Sequence, residues 1–561
     1  MRTRPIPPVA VNLATSLLAA VMGGVATWAA FPGALSAAGC WPTAILGVAL
    51  LSWATHGGRM RRGLLAGLLF GFAFMFPHLA WSGTYVGLLP WSALTLACAL
   101  FYAGLGAFLP RLQRARFGLG PLAVACGWVA IEAARARVPF EGVPWGRLAF
   151  SQADAPFLGL ASLGSSAAVT FGVALAGALL AHAVLVLVRL PAPVGAGRGV
   201  HRARPALISL VLAGLVTVSG ALLPRPTDAE DGTTRIAAVQ GNTPSEGLDF
   251  NSERRAVLDN HANATLALAA EVDAGRTPRP DMVLWPENSS DIDPYENADA
   301  AAVIEGAVDA IGAPVLVGAV LDGPGRFVSN TGLVATPADG LRGARSDPAR
   351  HYVKQRPAPF AEYMPYRSFF RTFSDKVDLI TRDFVHGDSV GLLDVGGVRV
   401  GDVICFEVAF DDTVRDSVRA GAQLLVVQTN NATFGESDEA VQQLAMSRLR
   451  AVESGRAVVQ ISTVGVSAII TPDGAAHDET TLFTQAVLQG DIPLRSSETV
   501  ATRVGAGPEL ALSALAVLLL LLARRGPRTV ARRGHGRGER QEPAPTSPMP
   551  PTPMPPTPVS R

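Results

Sequence analysis

Residues 398–410 read VRVGDVICFEVAF, and this stretch decides the fold of the second half of the chain. An apolar, valine-rich run ends at Cys405, and Glu407 follows two positions later. A continuous apolar run predicts a strand that is buried on both faces, in a sheet covered by other elements. Reactive side chains of such sheets collect where the strands end. Cys405 is therefore the point from which a site is sought.

The same pattern recurs along residues 232–500, where short apolar runs alternate with helical stretches. The predicted strands are RIAAVQ (235–240), DMVLWP (281–286), APVLVGAV (313–320), VRVGDVICF (398–406), QLLVVQ (423–428) and VVQISTVGVSAII (458–470). The predicted helices are 252–274, 298–311, 410–420 and 437–455. A segment of about 270 residues buries a full core, so an α/β domain is expected here.

The rest of the chain is dominated by apolar runs long enough to cross a bilayer, which takes about 20 helical residues. The predicted spans are 9–30, 36–54, 63–82, 90–109, 119–136, 165–188, 205–223 and, after the α/β segment, 508–523. Hydrophobic residues make up 49% of the chain and charged residues only 17%. This balance favours a membrane protein with an α-helical bundle of about eight spans.

Arginine placement predicts the orientation of these spans. Arginines precede the first span, occupy every second connection and follow the eighth span. Because basic connections stay in the cytoplasm, both termini are expected there and the α/β segment outside. The predicted domains are a seven-span membrane domain (1–223), an extracytoplasmic catalytic domain (224–506), an eighth span (507–525) and a basic, then Pro-rich, disordered cytoplasmic tail (526–561).

Composition excludes several classes of protein. Four cysteines in 561 residues form no disulfide framework, and a net charge of +1 gives no electrostatic basis for nucleic-acid binding. The nine histidines are scattered without metal-ligand spacing, so no metal or other cofactor is expected. Only two of the 47 basic residues are lysines, Lys354 and Lys376. A lysine in such a chain is a candidate for chemistry that a guanidinium cannot perform.

Three reactive residue types follow or flank the predicted strands. Glu287 lies in DMVLWPENSS, Lys354 lies in HYVKQRPAPFAEYMP, and Cys405 is the only cysteine of the outer segment. A thiol becomes a good nucleophile once a carboxylate takes its proton. A lysine ammonium favours the thiolate and stabilises an acyl oxyanion. Together these residue types predict acyl transfer through a thioester.

The segments WPE, YVKQRPAPFAEYMP and CFE, in this order, resemble the Glu–Lys–Cys triad of the nitrilase, or carbon–nitrogen hydrolase, superfamily. Such a domain between seven spans and an eighth is similar to the apolipoprotein N-acyltransferase family, over residues 9–523. Further resembling segments are VPWGRLAFSQ (143–152), QTNNATFG (428–435), SRLRAVESGR (447–456) and STVGVSAIITPDG (462–474). One departure is Thr433, where many family members carry a tryptophan.

The resemblance implies a nitrilase-like sandwich and a role for each site residue. Glu287 is expected to be the general base, Lys354 the oxyanion stabiliser and Cys405 the nucleophile. Glu362 is expected to orient Lys354, and Glu407 to support the thiolate region or the substrate amine. The implied partners are a phospholipid acyl donor and a diacylglyceryl-modified apolipoprotein acceptor, at a bacterial cell membrane.

Two other functions remain open at this stage. A membrane-anchored amidase or hydrolase of the nitrilase type would use the same triad but resolve the thioester with water. A transporter or receptor would use the outer domain only to bind a ligand, although no span carries the central charges expected of an ion path. Aromatic residues around 360–380 form either an arm that enters lipid or part of the core: Phe360, Phe369, Phe370 and Phe373.

Overall fold

A computed structural model describes residues 12–188, 196–244 and 253–523, together with the isolated residues Thr552 and Met554. Residues 9–11 of the first predicted span lie outside the described residues. The predicted tail also lies outside them, apart from Thr552 and Met554. Within them, the chain forms helices up to residue 222, two β-sheets between residues 233 and 493, and a last apolar helix.

The described helices are, in chain order, α1 (Leu13–Trp28), α2 (Pro42–Thr55), α3 (Met60–His78), α4 (Leu88–Leu112), α5 (Gly120–Arg135), α6 (Ala161–Val188), α7 (Ala196–Ser219), α8 (Arg254–Asp273), α9 (Ala298–Ile311), α10 (Leu341–Ser346), α11 (Arg367–Phe370), α12 (Asp411–Arg419), α13 (Glu439–Ser454), α14 (Val500–Val504) and α15 (Gly507–Leu522). The described strands are β1 (Thr233–Gln240), β2 (Met282–Leu284), β3 (Val315–Asp322), β4 (Val328–Ala335), β5 (His351–Val353), β6 (Leu392–Val395), β7 (Val398–Ile404), β8 (Leu424–Thr429), β9 (Val458–Ser462), β10 (Ala468–Ile470), β11 (Ala476–His477) and β12 (Ala486–Pro493).

Helices α1–α7 overlap the seven predicted spans, and α15 overlaps the eighth. In the part of the chain that the structure describes, four helical stretches are long and apolar enough to cross a membrane: Met60–His78, Leu88–Leu112, Pro156–Val188 and Ala203–Leu222. Three shorter apolar helices accompany them, namely α1, α2 and α15. The outward face of α7 is strongly apolar, with Leu207 61% exposed. Such a surface suits lipid rather than water.

Helices α3 and α4 approach each other closely because glycines remove side chains where they cross. A Cβ atom on Gly67 would lie 2.1 Å from the carbonyl oxygen of Tyr102, and one on Gly63 would lie 2.1 Å from that of Gly106. No larger residue fits at either position without moving a backbone. Small residues play this role wherever helices associate by packing alone.

The two six-stranded sheets pack face to face. Their strand orders are β12-β1-β2-β3-β4-β5 and β11-β10-β9-β8-β7-β6. Aliphatic side chains from both sheets form the core between them, including Ile236, Leu316, Val400 and Val426. Helices α8 and α9 cover the first sheet, while α12 and α13 cover the second and share a continuous apolar core with the membrane helices. The result is the helix-covered α/β sandwich that the apolar strands predict.

One predicted strand is wrong. Residues 458–470 do not form a single strand, because β9 ends at Ser462 and β10 returns antiparallel to it. Gly465 lies in the connection with a φ of +103°, a conformation that side chains disfavour. The apolar composition of the segment hid this turn. The other predicted strands and helices lie within a few residues of their observed positions.

Candidate active site

The site forms where strands of both sheets end. Glu287 follows β2 of the first sheet, Lys354 follows β5 at its edge, and Cys405 follows β7 of the second sheet. The side-chain nitrogen of Gln428 in β8 donates a hydrogen bond of 2.6 Å to the carbonyl oxygen of Trp285, which ties the two sheets together beside the site. The sandwich therefore brings the three predicted residues to one region.

Lys354 lies between two carboxylates. Its Nζ is 2.9 Å from Glu287 Oε1 and 2.8 Å from Glu362 Oε2, and its side chain is almost fully buried. Burial opposes charging of this lysine, but the nearby carboxylates of Glu287 and Glu362 outweigh it and raise the pKa of Lys354 well above its ordinary value. Lys354 is therefore a permanent ammonium with two fixed partners.

The two carboxylates are themselves held in place. Asn330 Nδ2 donates to Glu287 Oε1 at 2.7 Å and to Glu362 Oε1 at 2.8 Å. The backbone N–H of Asn430 donates to Glu287 Oε2 at 2.9 Å, and the N–H of Ala358 donates to Glu362 Oε2 at 2.6 Å. Every described contact of Glu287 thus comes from a fixed donor, which fixes the position of its oxygens.

Cys405 begins a short 3-10 turn and has a φ of +53°, in the left-handed region. Strained backbone of this kind is concentrated at functional sites. The Sγ atom lies 3.7 Å from both Thr429 Oγ1 and Gln443 Nε2. Burial and the charge of Glu287 raise the pKa of Cys405, while Lys354 acts in the opposite direction. The resting group is therefore a neutral thiol, and its activation requires a base.

Glu407 lies behind the site rather than in it. Its carboxylate is fully buried and accepts hydrogen bonds from the backbone N–H groups of Gln355 at 2.7 Å, Arg356 at 3.0 Å and Ile404 at 2.8 Å, and from the Tyr352 hydroxyl at 2.9 Å. These donors lie on both sides of Lys354, at and after the end of β5, and directly before Cys405, at the end of β7. Glu407 therefore joins two of the site-bearing loops. This geometry favours support of the thiolate region over contact with a substrate amine.

Sequence reasoning missed several residues of the site, namely Asn330, Thr429, Asn430 and Gln443. Asn330 lies inside a fully buried strand, where a polar residue needs an internal partner. The strand carries three consecutive polar residues, so its sequence does not mark Asn330 as buried and shows no partner for it. Gln443 lies on α13, whose buried face is too polar to mark any single residue.

A chain of aromatic side chains connects the segment after Cys405 to the connections of the membrane helices. The rings of Trp81, after α3, lie 5.2 Å from both Phe434 and Trp145, and Trp145 stacks at 6.3 Å on Phe406, which follows Cys405. Phe434 is the neighbour of Thr433, the position that departs from the family pattern. Through Phe434, this loop therefore contacts the connection that follows α3.

The aromatic residues around 360–380 are not core residues. Tyr366 is 74% exposed and Phe373 is 65% exposed, and Phe369 is also exposed. Phe360 and Phe370 pack edge-on at 4.9 Å. The structure therefore excludes a core role for much of this segment and leaves an exposed apolar arm.

The described residues contain no group of three or more His, Cys, Asp or Glu side chains placed to hold a metal ion. The titratable cluster around Lys354 instead combines one cation with carboxylates and a thiol. Such a set of groups can transfer protons and form an acyl thioester.

Comparisons with known proteins match both the helical part and the α/β part of the chain. The family model of the apolipoprotein N-acyltransferase N-terminal domain matches residues 23–179, and the carbon–nitrogen hydrolase model matches residues 235–502. An apolipoprotein N-acyltransferase of Mycolicibacterium smegmatis is 42% identical over 92% of this chain and 87% of the relative. One of Azotobacter vinelandii is 31% identical over 87% of this chain and 92% of the relative. The chain therefore belongs to the apolipoprotein N-acyltransferase family.

Proposed function

We propose that this protein transfers an acyl chain from a membrane phospholipid to the N-terminal α-amine of a diacylglyceryl-cysteine on apolipoproteins. The observation that carries the proposal is the buried Glu287–Lys354–Glu362 cluster beside Cys405. The family membership supplies the acceptor class. The reaction matures a lipoprotein in two half-reactions that share one thioester.

In the first half-reaction Glu287 takes the proton of the Cys405 thiol, and the sulfur attacks the ester carbonyl of the phospholipid. The Lys354 ammonium stabilises the oxyanion that forms. The lysophospholipid leaves with the proton that Glu287 held. Glu362 keeps Lys354 aimed at the oxyanion, and Glu407 fixes the loops on which Lys354 and Cys405 lie.

In the second half-reaction the acceptor amine attacks the thioester carbon. A C–N bond forms, the C–S bond breaks, and Glu287 passes a proton from the nitrogen to the sulfur. The product is an N-acylated lipoprotein, and the free thiol returns. Because Cys405 is regenerated and Glu287 ends as a carboxylate, the cycle balances without any added oxidant, reductant or metal.

The membrane arrangement follows from the substrates. Both carry acyl chains, so the site is best placed at the outer membrane surface. We propose the eight-span topology with both termini in the cytoplasm and the α/β domain outside, as arginine placement predicts. The apolar helices and the exposed face of α7 support a bilayer location. The aromatic arm around Tyr366 and Phe373 then enters the lipid interface, where such rings are favoured.

The test is the intact mass of the full-length protein in detergent micelles after incubation with phospholipid alone, followed by peptide mapping. We expect one acyl group on Cys405, which a diacylglyceryl peptide with a free α-amine discharges. The Cys405→Ser variant is the matched control, since it changes one atom of the nucleophile. It should insert in the membrane normally and form no thioester.

Two results would contradict the proposal. Acylation that water discharges as fast as the lipopeptide would indicate a hydrolase. No adduct on Cys405 with any phospholipid, in protein that is correctly folded, would remove the thioester mechanism.

A further inference from the structure

The first turn of α13 carries a carboxyl group that the triad mechanism does not use. Glu439 is only 2% exposed, and among the described residues its Oε2 has no hydrogen-bond partner. Burying a carboxyl group without a partner is costly. Such groups are concentrated at functional sites, where a substrate supplies the missing partner.

Glu439 lies on the same helix as a residue that contacts the sulfur of Cys405. Gln443 is one helical turn further along α13 and on the same face, and its Nε2 is 3.7 Å from Cys405 Sγ. Burial and the charge of Glu287 raise the pKa of Glu439 to about 8. The charge of Glu439 also raises the pKa of Cys405, though less than burial and the charge of Glu287 do. Geometry and electrostatics therefore place Glu439 at the edge of the catalytic cluster.

The turn that carries Glu439 also faces the membrane helices. A Cβ atom on Gly33, in the loop after α1, would lie 2.4 Å from Asp438 Cγ. Gln442 accepts a hydrogen bond of 2.7 Å from Trp145 Nε1, on the connection between α5 and α6. Helix α13 thus contacts both the sulfur of Cys405, through Gln443, and the connections of the membrane helices.

We propose that Glu439 binds the α-ammonium group of the acceptor and accepts the first proton that this group must lose. This inference rests on the proposed function. An ammonium has no lone pair, so it gives one proton to the Glu439 carboxylate before its nitrogen attacks the thioester. The C–N bond then forms, the C–S bond breaks, and the second proton passes through Glu287 to the sulfur. Protonated Glu439 finally releases its proton to water.

The chemistry of the site explains why a second carboxylate is needed. Glu287 is already bound by Lys354, Asn330 and the backbone of Asn430, and it must serve the sulfur. An α-amine ordinarily titrates at about 7.7–8.0. A bound ammonium favours the carboxylate form of Glu439, which releases its own proton to water as the ammonium binds. The two groups are then close enough in basicity to exchange a proton at little cost. The unpartnered Oε2 of Glu439 offers an acceptor where an ammonium would donate.

The experiment separates the half-reactions in the full-length protein. Wild type, Glu439→Gln and the control Glu436→Gln, an exposed carboxylate of the preceding loop, are acylated in micelles with dioleoyl phosphatidylethanolamine and phosphatidylglycerol. The thioester is then discharged with a diacylglyceryl peptide or with hydroxylamine, which is neutral at pH 7. We expect all three proteins to form the Cys405 thioester, so that discharge is compared from the same acylated state. In Glu439→Gln, discharge by the peptide should be about 100-fold slower, with hydroxylamine discharge within about twofold of wild type.

Each alternative outcome has one meaning. Equal discharge by the peptide in wild type and Glu439→Gln would overturn the role of Glu439. Equal slowing with hydroxylamine would also overturn it, because the residue would then act on the thioester rather than on the ammonium. A wild-type protein that forms no thioester would instead contradict the proposed function.

A second measurement needs no variant. Two unreactive lipopeptides compete with the acceptor for the wild-type thioester: one carries an N,N-dimethylated α-ammonium, and the other has no α-amino group. We expect the dimethylammonium peptide to bind about tenfold more tightly, since it retains one charged hydrogen bond to Glu439. Equal binding of the two peptides would overturn the proposal even if Glu439→Gln failed to fold.

Discussion

The catalytic cluster and the cluster where the membrane helices meet the sandwich both bury charge, but they use different cations. At the site, one lysine faces two glutamates. The second cluster, here called the boundary cluster, pairs arginines with carboxylates: Arg147 with Asp411 and Glu509, Arg450 with Asp411 and Glu453, and Arg137 with Glu509. We propose that one cluster performs chemistry, whereas the other joins two parts of the molecule.

Their charge balance differs as well. The boundary cluster has three cations, of which Arg137 is half exposed, and three carboxylates, so its charges balance. Burial opposes ionisation of Asp411, but Arg147 and Arg450 outweigh it and hold the pKa of that carboxyl well below its usual range. The catalytic cluster has one cation against Glu287 and Glu362. Because carboxylates outnumber cations in the catalytic cluster, one carboxylate can take up and release a proton. In the boundary cluster the charges balance, so no carboxylate is left for this role.

The choice of cation follows the same division. A guanidinium presents a planar fork, which suits Arg147 because it spans two carboxylates from different parts of the chain. An ammonium is compact and places its charge at one point, where an oxyanion can reach it. A chain with only two lysines among 47 basic residues places one of them at the site.

The largest effect is expected when the lysine of the site is exchanged for an arginine. Lys354→Arg should lower the rate of Cys405 acylation by about 1000-fold, because a planar fork does not fit between Glu287 and Glu362 and misplaces the charge. The measurement is single-turnover acylation followed by intact mass. Near-normal acylation in Lys354→Arg would remove the lysine from the mechanism.

The matched control makes the same exchange in reverse at the boundary cluster. Arg147→Lys keeps the positive charge but loses the fork, so it should leave acylation within about threefold of wild type. A loss as large as that of Lys354→Arg would show that the two clusters are one functional unit.

The next effect concerns stability. Arg147→Ala leaves the carboxylates of Asp411 and Glu509 buried without this partner, which should lower the free energy of unfolding by about 3 kcal/mol. Denaturant titration in detergent measures it. Acylation per folded molecule should stay close to wild type, since the triad is untouched. A selective loss of acylation with unchanged stability would contradict a purely joining role.

A smaller effect is expected when one partner of the catalytic lysine changes. Glu362→Gln removes a charge beside Lys354. It also places an amide nitrogen, which donates, where a Glu362 oxygen of the wild type accepts from Lys354, Asn330 or the backbone of Ala358. We expect acylation about 30-fold slower, with Cys405 still the acylated residue. Stopped single-turnover assays measure the rate, and Glu436→Gln is the control. An unchanged rate would mean that Glu287 alone positions Lys354.

Sequence reasoning selected Glu287, Lys354 and Cys405, which the structure brings to one region, because each lies in or at the end of a recognisable segment. Cys405 ends a long apolar run, and Lys354 is conspicuous in a chain that is nearly free of lysine. The helix predicted at 298–311 coincides with α9, because its apolar residues recur at helical spacing and Gly312 ends it in a left-handed conformation.

The rest required the fold. Strand β4 reads VSNTGLVA, whose polar residues give no clear apolar run, although all of them are buried. Glu407 could not be assigned to one role, because its backbone partners come from a loop about 50 residues earlier in the chain. Glu439 lies among several acidic residues of one loop and helix start. Only packing distinguishes its buried side chain from exposed Glu436.

The smallest effect concerns a carboxyl group that has neither kind of cation. Asp402 in β7 is fully buried, and among the described residues both its side-chain oxygens lack hydrogen-bond partners. Burial, and then the charges of Glu407 and Glu287, raise its pKa well above the ordinary value. The native state therefore keeps a proton that the unfolded chain loses once the pH exceeds the ordinary aspartate pKa.

Stability linked to this group consequently falls as the pH rises from the unfolded pKa toward the folded one. Asp402→Asn removes the titration, so the stability of the variant relative to wild type should increase by about 1.4 kcal/mol per pH unit while native Asp402 stays protonated. Denaturant titrations at pH 6, 7 and 8 give this slope. A difference that does not change with pH would mean that Asp402 is ionised in the fold. The sandwich would then bury an uncompensated charge. Charge balance would no longer distinguish the boundary cluster from the core beside the site.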